Sequence, residues 1–248
     1  MKALILNSGM GSRMGSLTND KPKCMTEISD GETILKRQLC QLVKAGIKDV
    51  VITTGMHKGE LMKYCNSLNL SLNYTFIHNP EYKSTNYIYS IYLAKDILRN
   101  TDILLMHGDL VFDFDVLSRI IRQTESSVVV SSVKPLPEKD FKAVISEGYV
   151  KKIGVEFFEN AVSAQALYYL YARDWDIWLK QIELYCRCGK RNVYAENALN
   201  EVTDFCCIRP FDVRNMLCGE IDTPEDLEKI QKIILEDHTE DGILRKTY

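Results

Sequence analysis

Apolar residues recur along this chain in two rhythms. Short, nearly unbroken runs stand at 2–7 (KALILN), 48–53 (KDVVIT), 102–107 (DILLMH) and 127–133 (SVVVSSV), as strands buried on both faces require. Residues 71–77 (SLNYTFI) alternate, which also predicts a strand. Between these runs, apolar positions fall every three or four residues. Glu32 to Ala45 carries Ile34, Leu35, Leu39, Leu42 and Val43 at helical spacing and stops near Gly46. Further helices are predicted over 58–68, from Thr85 to Leu98 with Thr85 as N-cap, and over 116–122. Strand and helix therefore alternate through the first half, which predicts an α/β fold with a parallel sheet covered on both faces.

The second half is less regular. Residues 141–153 read as a hairpin turning at Gly148, 164–171 as a strand and 174–186 as a helix carrying Trp175 and Trp178. A short helix is expected over 194–200, a strand over 203–208, and a closing helix from Pro224 to Glu236 with proline in its first turn. The last dozen residues, 237–248, read as a loosely packed tail. Tyr87, Tyr89 and Tyr92 form an aromatic stripe that reads as core packing, while the tryptophan pair suits either the core or a subunit contact.

Composition narrows the function classes. The chain has 248 residues and a formal net charge of −3, with no basic excess of the kind a nucleic-acid surface shows. No apolar stretch approaches the ~20 residues that cross a bilayer. Eight cysteines are present, without CxxC zinc spacing, and Met1 leads straight into a strand-like run. The expectation is a cytoplasmic protein with reduced, mostly buried thiols, no nucleic-acid partner and no membrane partner, as a monomer or homodimer.

The densest chemistry lies at residues 4–25, LILNSGMGSRMGSLTNDKPKCM. A buried strand stops at Asn7 and turns through Ser8, Gly9, Met10, Gly11 and Ser12, where glycines let backbone N–H groups approach an anion. Arg13 adds a cation, and Pro22 stiffens the chain before Lys23. A dinucleotide fingerprint would open directly into a helix, and its second strand would end in an acidic residue; here it ends in Thr53-Thr54-Gly55. The P-loop pattern is absent. Gly108-Asp109 follows another buried strand, at the end of the sheet where ligands gather, and an aspartate there can bind Mg²⁺. Asp113 and Asp115 read as solvated charges at a helix start.

Gly9, Gly11, Arg13, Pro22 and Lys23 together resemble the N-terminal motif of the sugar-nucleotidyltransferase superfamily, with Asn7 and Ser8 in place of two alanines and Met14 in place of leucine. Residues 79–92 (NPEYKSTNYIYSIY) resemble a segment of its small CTP-dependent cytidylyltransferases, and GEIDTPEDL at 219–227 is a further match. The resemblance implies the nucleotide-diphospho-sugar transferase fold: a Rossmann-like mixed, mostly parallel sheet flanked by helices, with a small β-rich elaboration for the acceptor. It implies one domain with a nucleotide-binding half at 1–134 and an acceptor-binding half at 135–236. It places Asn7, Ser8, Gly9, Met10, Gly11, Ser12, Arg13, Lys23, Thr85, Asn86 and Ser90 at the nucleotide, with Lys23 and Arg13 catalytic. Asp109 and Asp222 would hold the cofactor Mg²⁺. CMP would pass from CTP to a small phosphorylated acceptor, releasing pyrophosphate.

For the acceptor, the phosphocholine enzymes of this group combine aromatic rings with a carboxylate. The matching regions here, about 138–144 and 192–198, hold Lys142, Tyr194, Glu196 and Asn197, but Ala195 stands where a tryptophan is expected. The resemblance therefore implies a zwitterionic amino compound: glutamine phosphate first, then aminoethylphosphonate, then phosphocholine. Such activated compounds serve capsular polysaccharide or lipid decoration. A sugar 1-phosphate nucleotidyltransferase is the alternative within the superfamily. A nucleotide sensor without activity is the alternative outside it; such a sensor would be expected to lack Lys23 or one of the two aspartates.

Overall fold

The structure is a computed structural model that describes the backbone of residues 1–244 and side chains through Glu236. The first half contains β1 (Lys2–Asn7), β2 (Glu27–Ser29), β3 (Glu32–Thr33), α1 (Ile34–Lys44), β4 (Asp49–Thr54), α2 (Lys58–Ser67) and β5 (Asn73–His78). It continues through α3 (Tyr87–Leu93), α4 (Lys95–Leu98), β6 (Ile103–His107), β7 (Leu110–Phe112), α5 (Phe114–Ile120) and β8 (Ser127–Ser131). The second half holds β9 (Lys142–Ser146), β10 (Tyr149–Gly154), β11 (Ala161–Leu170), α6 (Ala172–Arg187), α7 (Ala195–Leu199), β12 (Arg209–Asp212), β13 (Cys218–Glu220) and α8 (Pro224–Leu244).

The main sheet runs β10-β9-β11-β6-β1-β4-β5, with β8 and β12 continuing from β11 on a branch. Strands β6, β1, β4 and β5 are parallel, and β11 joins them antiparallel to β6. The sheet is thus mixed, as the resemblance implied, and the hairpin β9–β10 is its β-rich extension. Alternation within β1 divides the core. Leu4 and Leu6 point into one cluster with α3, α6 and α7; Ala3 and Ile5 point into another with α1, α2 and α5. Trp175 and Trp178 are fully buried in the first cluster and meet edge to face at 5.6 Å, so both belong to the interior. A third cluster of Met14, Ile28, Val111, Ile221 and Ile230 seats α8 beside the start of the chain.

Several predicted elements shift. The third helix starts at Tyr87, not Thr85: Asn86 is its N-cap, and the Thr85 hydroxyl bonds back to the Glu81 carbonyl at 2.8 Å. It also breaks at Ala94 before the short α4. Residues 203–208 form turns, and the strand there lies at Arg209–Asp212, beside β8. The closing helix runs on to Leu244, into the expected tail, of which 245–248 lie outside the described residues. All eight cysteines are free; Cys40, Cys188 and Cys207 are exposed and the other five buried. Asp113 is not simply solvated, because it accepts from Arg37 and from the Leu217 amide.

Candidate active site

The loop after β1 is built by local constraint. Gly11 takes φ 65°, and a Cβ there would come within 3.1 Å of Lys23 Cβ. The Thr18 hydroxyl closes the loop on the Gly11 carbonyl at 3.0 Å. Residues Ser12–Thr18 form 3₁₀ turns kinked at Gly15, so no regular helix follows the glycines. Pro22 then starts the short turn Lys23–Met25, which aims the lysine inward.

Two aspartates meet this lysine. The short strands β7 and β13 pair antiparallel, and the Ile221 amide donates to the Asp109 carbonyl at 3.0 Å, which brings Asp109 and Asp222 side by side. Lys23 Nζ lies 2.7 Å from Asp109 Oδ2 and 2.5 Å from Asp222 Oδ1; Arg13 reaches Asp222 Oδ1 at 2.9 Å. Burial lowers the Lys23 pKa, but the two carboxylates outweigh it and hold the ammonium above its ordinary value. Burial raises the Asp109 carboxyl; Lys23 and His107 overcome this and leave it below the carboxylate range. The turn carrying Asp109 is clamped from α1. Buried Gln38 donates to the carbonyls of His107 and Leu110 at 2.9 and 2.8 Å, and Gln41 to that of Phe112 at 2.8 Å.

Two cavities flank this centre. The first, about 280 Å³, is lined by Asn7, the loop from Gly9 to Arg13, Pro22 and Lys23, and by Gly108, Asp109 and Asp222. The second, about 300 Å³, shares Arg13, Asp109 and Asp222 with the first. Its other walls include Tyr87, Phe141 and Tyr194, with Asp140, Glu220 and Lys139 among the charged groups. Phe141 and Tyr194 meet edge to face at 5.1 Å, and Tyr87 lies 6.0 Å from Tyr194. His107 Nδ1 stands 2.8 Å from Glu220. Burial disfavours the imidazolium, yet Glu220, with Asp109 and Glu196, lifts the His107 pKa to about 9.

Of the residues expected at the nucleotide, Asn7, Gly9, Met10, Gly11, Ser12, Arg13 and Lys23 line the first cavity. Ser8, Thr85 and Ser90 do not. Ser8 and Ser90 bond through their hydroxyls at 2.7 Å, and buried Asn79 donates to Ser90 and Thr85, both at 3.0 Å. These groups lock α3 and its preceding loop to the loop after β1. Asn86 faces the second cavity. Of the expected acceptor residues, Tyr194 lines that cavity. Lys142 does not: it is buried, its ammonium bonds the Pro137 carbonyl at 2.6 Å, and it lies 4.1 Å from the centre of the Phe158 ring. Glu196 is buried behind the wall, accepting from Tyr87 and Tyr168, and the Asn197 carbonyl takes the Tyr185 hydroxyl. His107, Glu220 and Asn79 went unread in sequence. His107 and Glu220 each stand two residues before an aspartate, the spacing that keeps neighbouring strand residues on one side.

The nucleotidyl transferase family model matches residues 2–166. The chain belongs to this family. A CTP:phosphoglutamine cytidylyltransferase of Campylobacter jejuni is 30% identical over 135 residues, 52% of this chain and 52% of that protein. A CMP-5'-(3-aminopropyl)phosphonate synthase of Streptomyces rubellomurinus is 31% identical over 136 residues, 55% of this chain and 21% of that protein. The matched stretch thus spans about half of the first relative's length and a smaller share of the second's. The structure of a CTP:phosphocholine cytidylyltransferase from Streptococcus pneumoniae superposes with TM-score 0.74 at 20% identity, covering 94% of this chain and 98% of that one. The mixed sheet flanked by helices is therefore the family's fold.

Proposed function

We propose that this chain transfers CMP from CTP to a small phosphorylated or phosphonate compound bearing an ammonium group, releasing pyrophosphate. What carries this reading is the wall common to both cavities. Arg13, Asp109 and Asp222 face each of them, so a nucleotide on one side and an acceptor on the other would meet at these residues.

The first cavity suits a triphosphate: backbone N–H groups of a glycine loop, Arg13 and Lys23 supply positive potential. The acceptor oxygen would attack the α-phosphorus as the bond to the leaving pyrophosphate breaks, and no covalent enzyme intermediate is needed. Lys23 would neutralise charge growing at the α-phosphate, and Arg13 would hold the departing phosphates.

Asp109 and Asp222 fit a Mg²⁺ ion. Asp109 Oδ1 is buried without a hydrogen-bond partner among the described residues, and paired carboxylates are the donor set this cation prefers. Such an ion would supply charge neutralisation between the two phosphoryl groups. Relatives named for CTP use support cytidine as the base.

Three aromatic walls with Asp140 and Glu220 suit an ammonium group, and Lys139 suits a further carboxylate on the acceptor. Glutamine phosphate carries both charges and leads the proposed acceptors, ahead of aminoethylphosphonate and phosphocholine. The activated product would suit decoration of a capsular polysaccharide or lipid. Pyrophosphate release tests this, with Mg²⁺ and each of CTP, UTP, ATP and dTTP against those acceptors, glycerol phosphate and glucose 1-phosphate. Turnover with CTP and an amino-bearing acceptor is expected. Turnover confined to glucose 1-phosphate would discard the amino-acceptor reading.

A further inference from the structure

Three acidic side chains are buried among the described residues, and their partners differ. Asp174 meets Arg173, and Glu183 meets Arg99 and Arg187. Glu196 makes no salt bridge among the described residues; its two oxygens accept the hydroxyls of Tyr87 and Tyr168, and its charge acts at longer range on His107. Burying a carboxylate is costly unless its oxygens are hydrogen-bonded, and here both bonds come from tyrosines, which fixes the carboxylate and the two rings together. Tyr168 is fully buried and packs on Trp178 at 5.5 Å, and the Trp178 indole donates to the Ala195 carbonyl at 2.9 Å. The carboxylate is therefore fixed from the core side. On its other side stands Tyr87, whose ring meets His107 edge on at 4.8 Å and forms a wall of the second cavity.

We propose that Glu196 is a positioning residue for the acceptor, acting through the Tyr87 hydroxyl to set the ring that the acceptor packs against. This rests on the second cavity being the acceptor pocket. Glu196 does not line the cavity; its direct bonds are to the two phenols, and of these Tyr87 forms a cavity wall.

The test is a double-mutant cycle of Glu196→Gln and Tyr87→Phe, with Tyr168→Phe as a control that removes the core-side bond. Each member of the cycle should raise the acceptor KM about tenfold, the equivalent of one charge-assisted hydrogen bond. The CTP KM should stay at its wild-type value, and the double variant should be no worse than either single one. Tyr168→Phe should lower the melting temperature and raise the acceptor KM less than either member of the cycle does, because the bond to Tyr87 remains. Additive losses in the cycle, an unmoved acceptor KM in Glu196→Gln, or an equal rise in Tyr168→Phe would each overturn the assignment. If the wild type turns over none of the acceptors, the failure lies with the pocket reading. The inference is then decided by NMR of ¹³C-tyrosine protein. Glu196→Gln should shift or broaden the Tyr87 ring signals, and unchanged signals would refute it.

Discussion

At Gly108 one methyl group decides whether the site can form. A Cβ there would lie 1.7 Å from Asn7 Oδ1, so the asparagine that borders the first cavity occupies the space glycine leaves. Gly108→Ala should therefore raise the CTP KM and lower the melting temperature together, and an unchanged CTP KM would show that Asn7 is not needed there. Lys23 and Asp109 differ, because they meet the reacting groups in the proposed mechanism. Lys23→Ala and Asp109→Ala should each cut turnover by about a thousandfold, the scale of losing one preorganised charge contact, while circular dichroism still shows the native fold. A wild-type rate in either variant would remove that residue from the chemistry. Lys23→Ala should also melt lower, since Asp109 and Asp222 then face each other without the ammonium between them. At this scale the sequence was legible where a residue's backbone shapes the loop, as with Gly11 and Pro22. It was opaque where a role depends on which way a buried side chain turns. Lys142 and Glu196 sit in the expected region, but one turns to the carbonyls of 137–138 and the other to two tyrosines.

Among the elements, periodicity revealed those long enough to display it. The strands β1, β4 and β6 and the helices α1 and α6 lie within a few residues of their expected positions. The pieces that assemble the centre are too short to show a period. β7 and β13 have three residues each, and their pairing joins distant parts of the chain. The clamp from α1 was hidden for another reason: Gln38 and Gln41 are polar, and the apolar spacing of the helix gives them no role, yet both are buried. That clamp can be tested. Gln38→Leu keeps the bulk but leaves the His107 and Leu110 carbonyls without their donor, which should cost about 2–4 kcal/mol of stability. Urea unfolding measures it. A loss below about 1 kcal/mol, the worth of an ordinary hydrogen bond, would mean the turn holds itself.

For the molecule as a whole, the decisive feature is that the first and second halves of the chain meet at one pair of carboxylates. Asp109 comes from the turn after β6 in the first half, and Asp222 from the segment leading into α8 in the second. A ligand that engages both aspartates binds the folded chain and has no comparable site when the halves come apart, so it must stabilise folding by linkage. With Mg²⁺ and CTP together at about a hundredfold over their dissociation constant, the gain is about 2.7 kcal/mol, or a melting shift of about 5–10 °C for a chain of this size. Excess EDTA should erase most of that shift and abolish turnover. Asp222→Ala should lose the Mg²⁺-dependent part while keeping whatever CTP gains from the glycine loop alone. If CTP gave the same shift with EDTA as with Mg²⁺, the aspartates would be holding Lys23 and Arg13 in place and not a metal ion. The joining of the halves would then rest on the salt bridges of Arg13 and Lys23 to Asp222.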